Sequence, residues 1–181
     1  MLASQKITLK LEQKYDSSWN SDFDYVFYSG PLDAYFGHKY GRLGYRTIYF
    51  ESEVFDGPDY QGNPVINYCS ASVPYTRIHQ HAHFAPWEKH NSSVYLREFA
   101  KETDPNDIPF YPKRLPADMS LLAKYREFGE AEEKVSFIGR LGTYRYLDMH
   151  HVVGESLDLA ARFVAFSSAW EQFPSFPNAE H

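Results

Sequence analysis

Residues 6–12, KITLKLE, alternate apolar Ile7, Leu9 and Leu11 with polar neighbours, the period of a half-buried strand. DSSWNSD (16–22) has no period and predicts a loop. DYVFYSG (24–30) reads as a buried strand ending at Gly30. Pro31 then opens PLDAYFG at a position that suits a first helical turn, so a short helix follows. LGYRTIYFESEVF (43–55) predicts a long aromatic strand, and DGPDYQGNP (56–64) a turn. PVINYCS, PYTRIHQHAHF and SSVYLREF (92–99) predict three more strands, and the Pro-rich stretch 101–116 an irregular loop. In PADMSLLAKYREFGE, Leu121, Leu122, Tyr125 and Phe128 fall at helical spacing. EKVSFIG returns as a strand. DMHHVVGESLDLAARFVAF predicts a last helix with Val152/Val153, Leu157, Ala160/Ala161 and Val164 as its apolar stripe. Asp148 stands where an N-cap would. The tail after Trp170, EQFPSFPNAEH, breaks the helix and is expected to be loose.

Strands first and helices late predict an α+β fold: a largely antiparallel sheet with a short helix, a mid-chain helix and a long C-terminal helix. At 181 residues the chain suits one domain or slightly more, and 43% hydrophobic residues are enough for a packed core. The 15 Tyr and 14 Phe fit either thick aromatic β-structure or a polar, ring-rich cleft. Net charge is −6 with no basic stripe, which argues against nucleic acid as a partner. The single cysteine, Cys69, has no internal partner and suits a reducing compartment. No apolar run approaches a membrane span, so the expectation is a cytoplasmic chain with no membrane partner.

Three groups of residues have chemical potential. On one strand, His79, His81 and His83 would share a face, and three imidazoles are candidate metal ligands. No Cys, Asp or Glu lies near enough in sequence to complete such a set, so a polar strand face is the competing reading. Asn67, Arg77, Tyr111, Arg140, Tyr144, Arg145 and Tyr146 form a second group, in which guanidinium forks and phenols suit phosphate oxygens. Asn67 and Arg77 would face alike within one unbroken strand, which Pro74 opposes. The third is FIGRLGTYRYLDMHH (137–151), where a strand ends at Gly139 and a helix starts soon after Asp148. Glycine lets a ligand approach the backbone, and a helix start favours an anion or electron-rich ring. The chain has neither a G-x-G-x-x-G nor a G-x-x-x-x-G-K-[ST] nucleotide loop.

FYSGPLDAYFGHKYGRLGYRTIYFE, QGNPVINYCSASVPYTRIHQHAHF, IPFYP and FIGRLGTYRYLDMHHVV resemble, in order and approximate spacing, the C-terminal half of UDP-galactopyranose mutase over residues 24–165. The resemblance implies a flavoenzyme interconverting UDP-galactopyranose and UDP-galactofuranose, for cell-surface glycans, with reduced FAD as the nucleophile that displaces UDP. It implies no metal, and makes the three histidines bystanders. It implies that Asn67, Arg77, Tyr111 and Tyr146 contact the substrate, with Arg77 on the leaving diphosphate. Gly139, Arg140 and the run Met149, His150, His151, Val152, Val153 and Gly154 would meet the flavin. Asp148 would be an active-site carboxylate beside it, catalytic along with Arg77. The implied division is an N-terminal strand and loop (1–23), a mutase C-terminal-like domain (24–173) and a flexible tail (174–181). The family's Gly-rich FAD loop and uracil-binding helices have no counterpart here. The expectation is therefore half a site, inactive alone, completed by an N-terminal half, with self-association through uncovered aromatic surface as the other partnership. A non-catalytic sugar-nucleotide-binding or assembly module on the same scaffold is the alternative.

Overall fold

The computed structural model describes residues 4–166 and 173–178. In chain order its elements are β1 (Val26–Tyr28), α1 (Leu32–Tyr35), β2 (Tyr45–Phe55), β3 (Val65–Asn67), β4 (Arg77–Gln80), β5 (Ser93–Glu102), β6 (Tyr111–Pro112), α2 (Pro116–Glu130), β7 (Val135–Phe137), α3 (Gly139–Gly142) and α4 (Met149–Ala165). Single 3-10 turns occupy Ser17–Asp22 and His81–Phe84. The chain divides into two compact units, Leu43–Met119 and the residues up to Arg42 together with those from Ser120 onward.

The Leu43–Met119 unit is one antiparallel sheet in the order β3-β4-β5-β2-β6. Its spine is β2 against β5, paired from Arg46↔Glu102 to Phe55↔Ser93. Side chains directly opposite one another reinforce that register. Arg46 and Glu102 form an ion pair at 2.8 Å, and Tyr49 stacks on Phe99 with centroids 5.0 Å apart. One face is covered by the 56–64 turn: buried Gln80 accepts from the backbone N–H groups of Tyr60 and Gln61 at 3.1 Å each. Tyr60 then lies flat on Tyr95, 3.9 Å between centroids. Tyr45, Thr47, Ile78, Gln80 and Tyr95 are buried on this side. The opposite, more open face carries exposed Phe50, Val54 and Val94.

In the other unit β1 and β7 pair in parallel, Val26↔Val135 to Tyr28↔Phe137. Phe137, fully buried, sits edge-on to Tyr28 and Tyr35 at 6.0 and 4.9 Å. From α2, buried Tyr125 donates to the Gly41 carbonyl (2.6 Å) and accepts from the Tyr40 N–H (3.0 Å). α4 buries Leu159 and lays Phe163 on Tyr25 and Phe27.

Several expectations need correction. Ile7, Leu9 and Leu11 are exposed and form no strand; the alternation is present, but among the described residues no partner strand satisfies its backbone groups. PYTRIHQHAHF is a strand only to Gln80, and residues 81–84 turn away as a 3-10 helix. The 16–22 loop is a 3-10 turn whose first N–H groups are met by Asp16, through Ser18 at 2.9 Å. The 101–116 loop contains β6. The chosen stripe of α4 points largely outward, with Leu157 67% and Val164 71% exposed. Trp170 lies outside the described residues. Of the tail, residues 173–178 pack: Phe137 N–H donates to Ser175 O at 2.7 Å, and Phe176 stacks on Phe137.

Candidate functional site

The register of the sheet brings Asn67, Arg77 and Tyr111 to one face. Residues directly opposite in an antiparallel pair share a face, as do residues two or four apart along a strand. Asn67 pairs with Arg77, Arg77 with Glu98, and Glu98 with Phe50. Four residues before Phe50, Arg46 pairs with Tyr111. All six therefore line the open face, with Asn67 and Tyr111 on the two edge strands. Pro74 does break the chain between Asn67 and Arg77, as expected. The two meet because they sit opposite one another on adjacent strands.

Arg77 is held in place. Its Nε donates to Asn67 Oδ1 at 2.9 Å, and its Nη1 stands 3.6 Å from Glu98 Oε1. Among the described residues Nη2 has no hydrogen-bond partner. Glu98 is 5% exposed, so its carboxylate needs donors. Thr76 Oγ1 supplies one at 2.9 Å, and His79 Nε2 lies 3.0 Å from the other oxygen. A buried anion thus fixes a partly exposed guanidinium on an open surface, an arrangement that presents cationic N–H groups to an anion. Beyond Arg46, Glu102 is drawn below the usual carboxylate range, first by the Lys113 ammonium at 2.6 Å and then by Arg46.

The 139–154 segment belongs to the other unit. Gly139 has φ +69, a left-handed conformation that glycine adopts without strain. A Cβ there would meet nothing nearer than Ser29 Cβ at 3.9 Å, so conformation, not crowding, explains this glycine. Arg140 follows in the single turn α3; its Nε donates to the Leu147 carbonyl at 2.8 Å and its guanidinium lies 5.2 Å from the Tyr146 ring centroid. Tyr146 is exposed. Tyr144 is fully buried core, and Arg145 bridges Glu155 of α4 at 2.5 Å, so both serve the fold. Asp148 occupies the N-cap position of α4, yet its side chain makes no capping bond. Met149, His150, His151, Val153 and Gly154 are exposed on the first turns of the helix, and Val152 is half-buried.

The three histidines of the expected strand do not form one face. His79 points to Glu98, His83 to Asp59 at 3.1 Å, and His81 is exposed. Among the described residues, the group of ligand-type side chains that does cluster is Asp148, His150 and His151, all exposed. Sequence reasoning missed Glu98 altogether. The available signal was a charged residue in the middle of an aromatic strand, which is rarely placed there without a partner.

A family model described as UDP-galactopyranose mutase matches residues 1–146. A probable UDP-galactopyranose mutase of Klebsiella pneumoniae is 46% identical over 172 residues, 95% of this chain and 44% of that protein. A dTDP-fucopyranose mutase of Escherichia coli is 41% identical over 145 residues, 80% of this chain and 38% of that protein. A UDP-galactopyranose mutase of Mycoplasma pneumoniae is 28% identical over 148 residues. The chain thus spans less than half the length of the curated relatives it matches. A crystal structure of reduced UDP-galactopyranose mutase shares the fold, with a TM-score of 0.56 at 11% identity over 83% of this chain and 44% of that one.

Proposed function

Because this chain belongs to the UDP-galactopyranose mutase family, we propose that it provides the diphosphate-binding and part of the flavin-contacting surface of a flavin-dependent nucleotide-sugar mutase. The reaction is the ring-contracting isomerisation of UDP-galactopyranose to UDP-galactofuranose. The observation that carries the reading is the Asn67–Arg77–Glu98 array on the open sheet face. Arg77 binds the diphosphate and stabilises the negative charge that builds as UDP departs. Asn67 fixes the guanidinium through its Oδ1, which keeps its amide N–H groups for a phosphate oxygen. Tyr111, on the same face, gives a neutral donor to the diphosphate.

The residues at 139–154 fit an isoalloxazine ring. Gly139 carries no side chain to hold a ligand off, and the Arg140 guanidinium is a cation fixed by the Leu147 carbonyl. The first turn of α4 adds a positive helix end that Asp148 leaves uncapped. Reduced FAD, when bound, supplies the nucleophile that displaces the nucleotide from the sugar. Arg140, Gly139 and the run Met149 to Gly154 bind and orient it, and Asp148 places a carboxylate at its edge. The remainder of the site comes from the part of the mutase that this chain does not span, or from a partner polypeptide, so the chain alone is inactive.

This reading assigns contacts to the diphosphate and not to the base. The relatives act by name on UDP- and dTDP-sugars, and the residues assigned here are indifferent to that choice. The test is calorimetric titration of the chain with UDP, dTDP and UDP-galactose. Binding of UDP and dTDP without preference is expected, weakened about tenfold or more in Arg77→Ala, which loses charge-assisted hydrogen bonds. Absence of binding, or equal binding by Arg77→Ala, refutes the assignment. Absorbance titration with FAD is expected to show weak flavin binding or none.

A further inference from the structure

We propose that His79 is a positioning residue for diphosphate binding. It occupies the second oxygen of Glu98, so that the carboxylate does not close a two-pronged pair with Arg77 and the outer guanidinium N–H groups stay free for the ligand. The inference rests on the diphosphate reading of Arg77. A guanidinium and a carboxylate ordinarily meet fork to fork, through two parallel N–H···O bonds. Here they do not. Arg77 Nη1 stands 3.6 Å from Glu98 Oε1, beyond hydrogen-bond reach. Among the described residues, the one hydrogen bond of this guanidinium runs from Nε to Asn67. Both Glu98 oxygens are engaged by other groups: Thr76 Oγ1 donates to Oε1 at 2.9 Å, and His79 Nε2 lies 3.0 Å from Oε2. A carboxylate only accepts, so Nε2 is the ring nitrogen that carries the proton.

The surroundings of His79 leave it this one polar bond. Directly opposite it stand Val65 on β3 and Leu96 on β5. Phe50 of β2 meets the ring nearly edge-on at 5.8 Å, and the His81 ring centroid is 6.3 Å away. The side chain is 18% exposed and that of Glu98 6%, so water is a poor substitute for either partner. Without the imidazole, Oε2 is a buried acceptor with no donor, an unfavourable state. The Arg77 Nη groups are the donors within reach. Turning onto them gives Glu98 its two-pronged pair and removes from the open face the N–H groups that a phosphate needs. The family resemblance makes this histidine a bystander; its hydrogen bond gives it a task.

The experiment compares the chain with His79→Leu and His79→Gln. Each is titrated calorimetrically with UDP and with inorganic pyrophosphate, and the arginine side-chain nitrogens are followed by NMR without ligand. Leucine fills the space with no donor, whereas glutamine brings an amide N–H to about the place of Nε2. His79→Leu is expected to bind both anions about three- to tenfold more weakly, the size of one net hydrogen bond. Its Arg77 guanidinium is expected to rotate more slowly, held by the two-pronged pair. His79→Gln is expected to restore both the affinity and the rotation of the parent. In the parent, the ring nitrogens of His79 are expected to show a protonated Nε2. Unchanged Arg77 rotation in His79→Leu, whatever its affinity or Tm, would overturn the proposal, because a merely structural histidine gives that result. Failure of His79→Gln to restore the parent's behaviour, or a proton on Nδ1 alone in the parent, would overturn it too. A parent chain that binds neither anion refutes the diphosphate reading instead, and the ligand-free Arg77 rotation then decides by itself whether His79 holds the carboxylate off.

Discussion

Glu98→Gln isolates what the buried carboxylate does for Arg77. Glutamine keeps the shape and one carbonyl acceptor, which Thr76 Oγ1, now 2.9 Å from Oε1, retains. It replaces the other acceptor with an amide donor, facing either His79 Nε2 at 3.0 Å or Arg77 Nη1 at 3.6 Å. Two unit charges at the Arg77–Glu98 distance interact by roughly 4–5 kcal/mol at an effective dielectric near 20, and by about 1 kcal/mol in water. The Arg77 side chain is 39% exposed, so most of that attraction is screened and about 1 kcal/mol is the fair share. Loss of the buried bond to His79 adds about 1 kcal/mol. The expected cost of Glu98→Gln is therefore about 2 kcal/mol, a fall of roughly 4–8 °C in Tm for a chain of this size. Thermal unfolding by circular dichroism at neutral pH is the assay. In the same sample UDP binding is expected to weaken, because Arg77 loses one of its two anchors. A Tm within about one degree of the parent, too small a change for a buried charge-assisted bond, would refute the argument that Glu98 fixes the guanidinium.

Other outcomes follow from the packing and the phenols. Burial pushes the Tyr28 phenol up to about 12, and the hydrogen bond to Glu53, aided by burial, does the same for Tyr95. Burial also raises Tyr35. Unfolded tyrosines titrate near about 10. The stability these neutral phenols confer is thus complete below about pH 10 and lost as pH rises toward about 12. Urea midpoints measured upward from neutral pH should fall in that window, and Tyr28→Phe should flatten the fall. Phe137→Ala empties a fully buried site between Tyr28, Tyr35 and Phe176 and should cost about 3–5 kcal/mol by urea unfolding. Gly142→Ala places a Cβ 2.7 Å from the Tyr28 backbone oxygen, where the backbone must shift, at about 1–3 kcal/mol in the same assay.

Much of the fold was legible where the local pattern and the tertiary partner agree. The aromatic stretch 43–55 is strand β2 because its side chains find counterparts on β5, Phe99 under Tyr49 and Glu102 beside Arg46. KITLKLE has an equally clear alternation and is no strand, since period states which side chains share a face and not whether another strand lies alongside. The parallel pairing of β1 with β7 was out of reach for the same reason: the two are separated by most of the chain. On the candidate site, the sequence singled out Arg77 and Asn67, but their meeting depends on the β3–β4 register. Glu98 offered only its charge in mid-strand as a signal; its role lies in being opposite Arg77, which depends on the β4–β5 register. The histidine strand failed at a single step, the turn at His81, after which even spacing no longer means a common face.

Helix α4 carries the same lesson further. Its period was readable, and the predicted helix is there, but the side packed within its unit is the one with Leu159 and Phe163. Met149, Val153, Leu157 and Val164 form a second apolar stripe, with Met149 85% and Leu157 67% exposed. A helix with an apolar stripe on one side and polar residues on the other is what a surface element looks like; apolar residues on two sides mark an element packed from both. Among the described residues of its unit only one of those sides is covered, and the chain spans less than half the length of its curated relatives. The stripe that sequence periodicity selected as core is thus apolar for a reason that the packing inside these residues does not supply. Large exposed apolar patches mark surfaces that bind something else. The exposed stripe thus runs along α4 from its first turns, where Met149 and Val153 are also among the residues assigned to the flavin, to Val164 in its last turn.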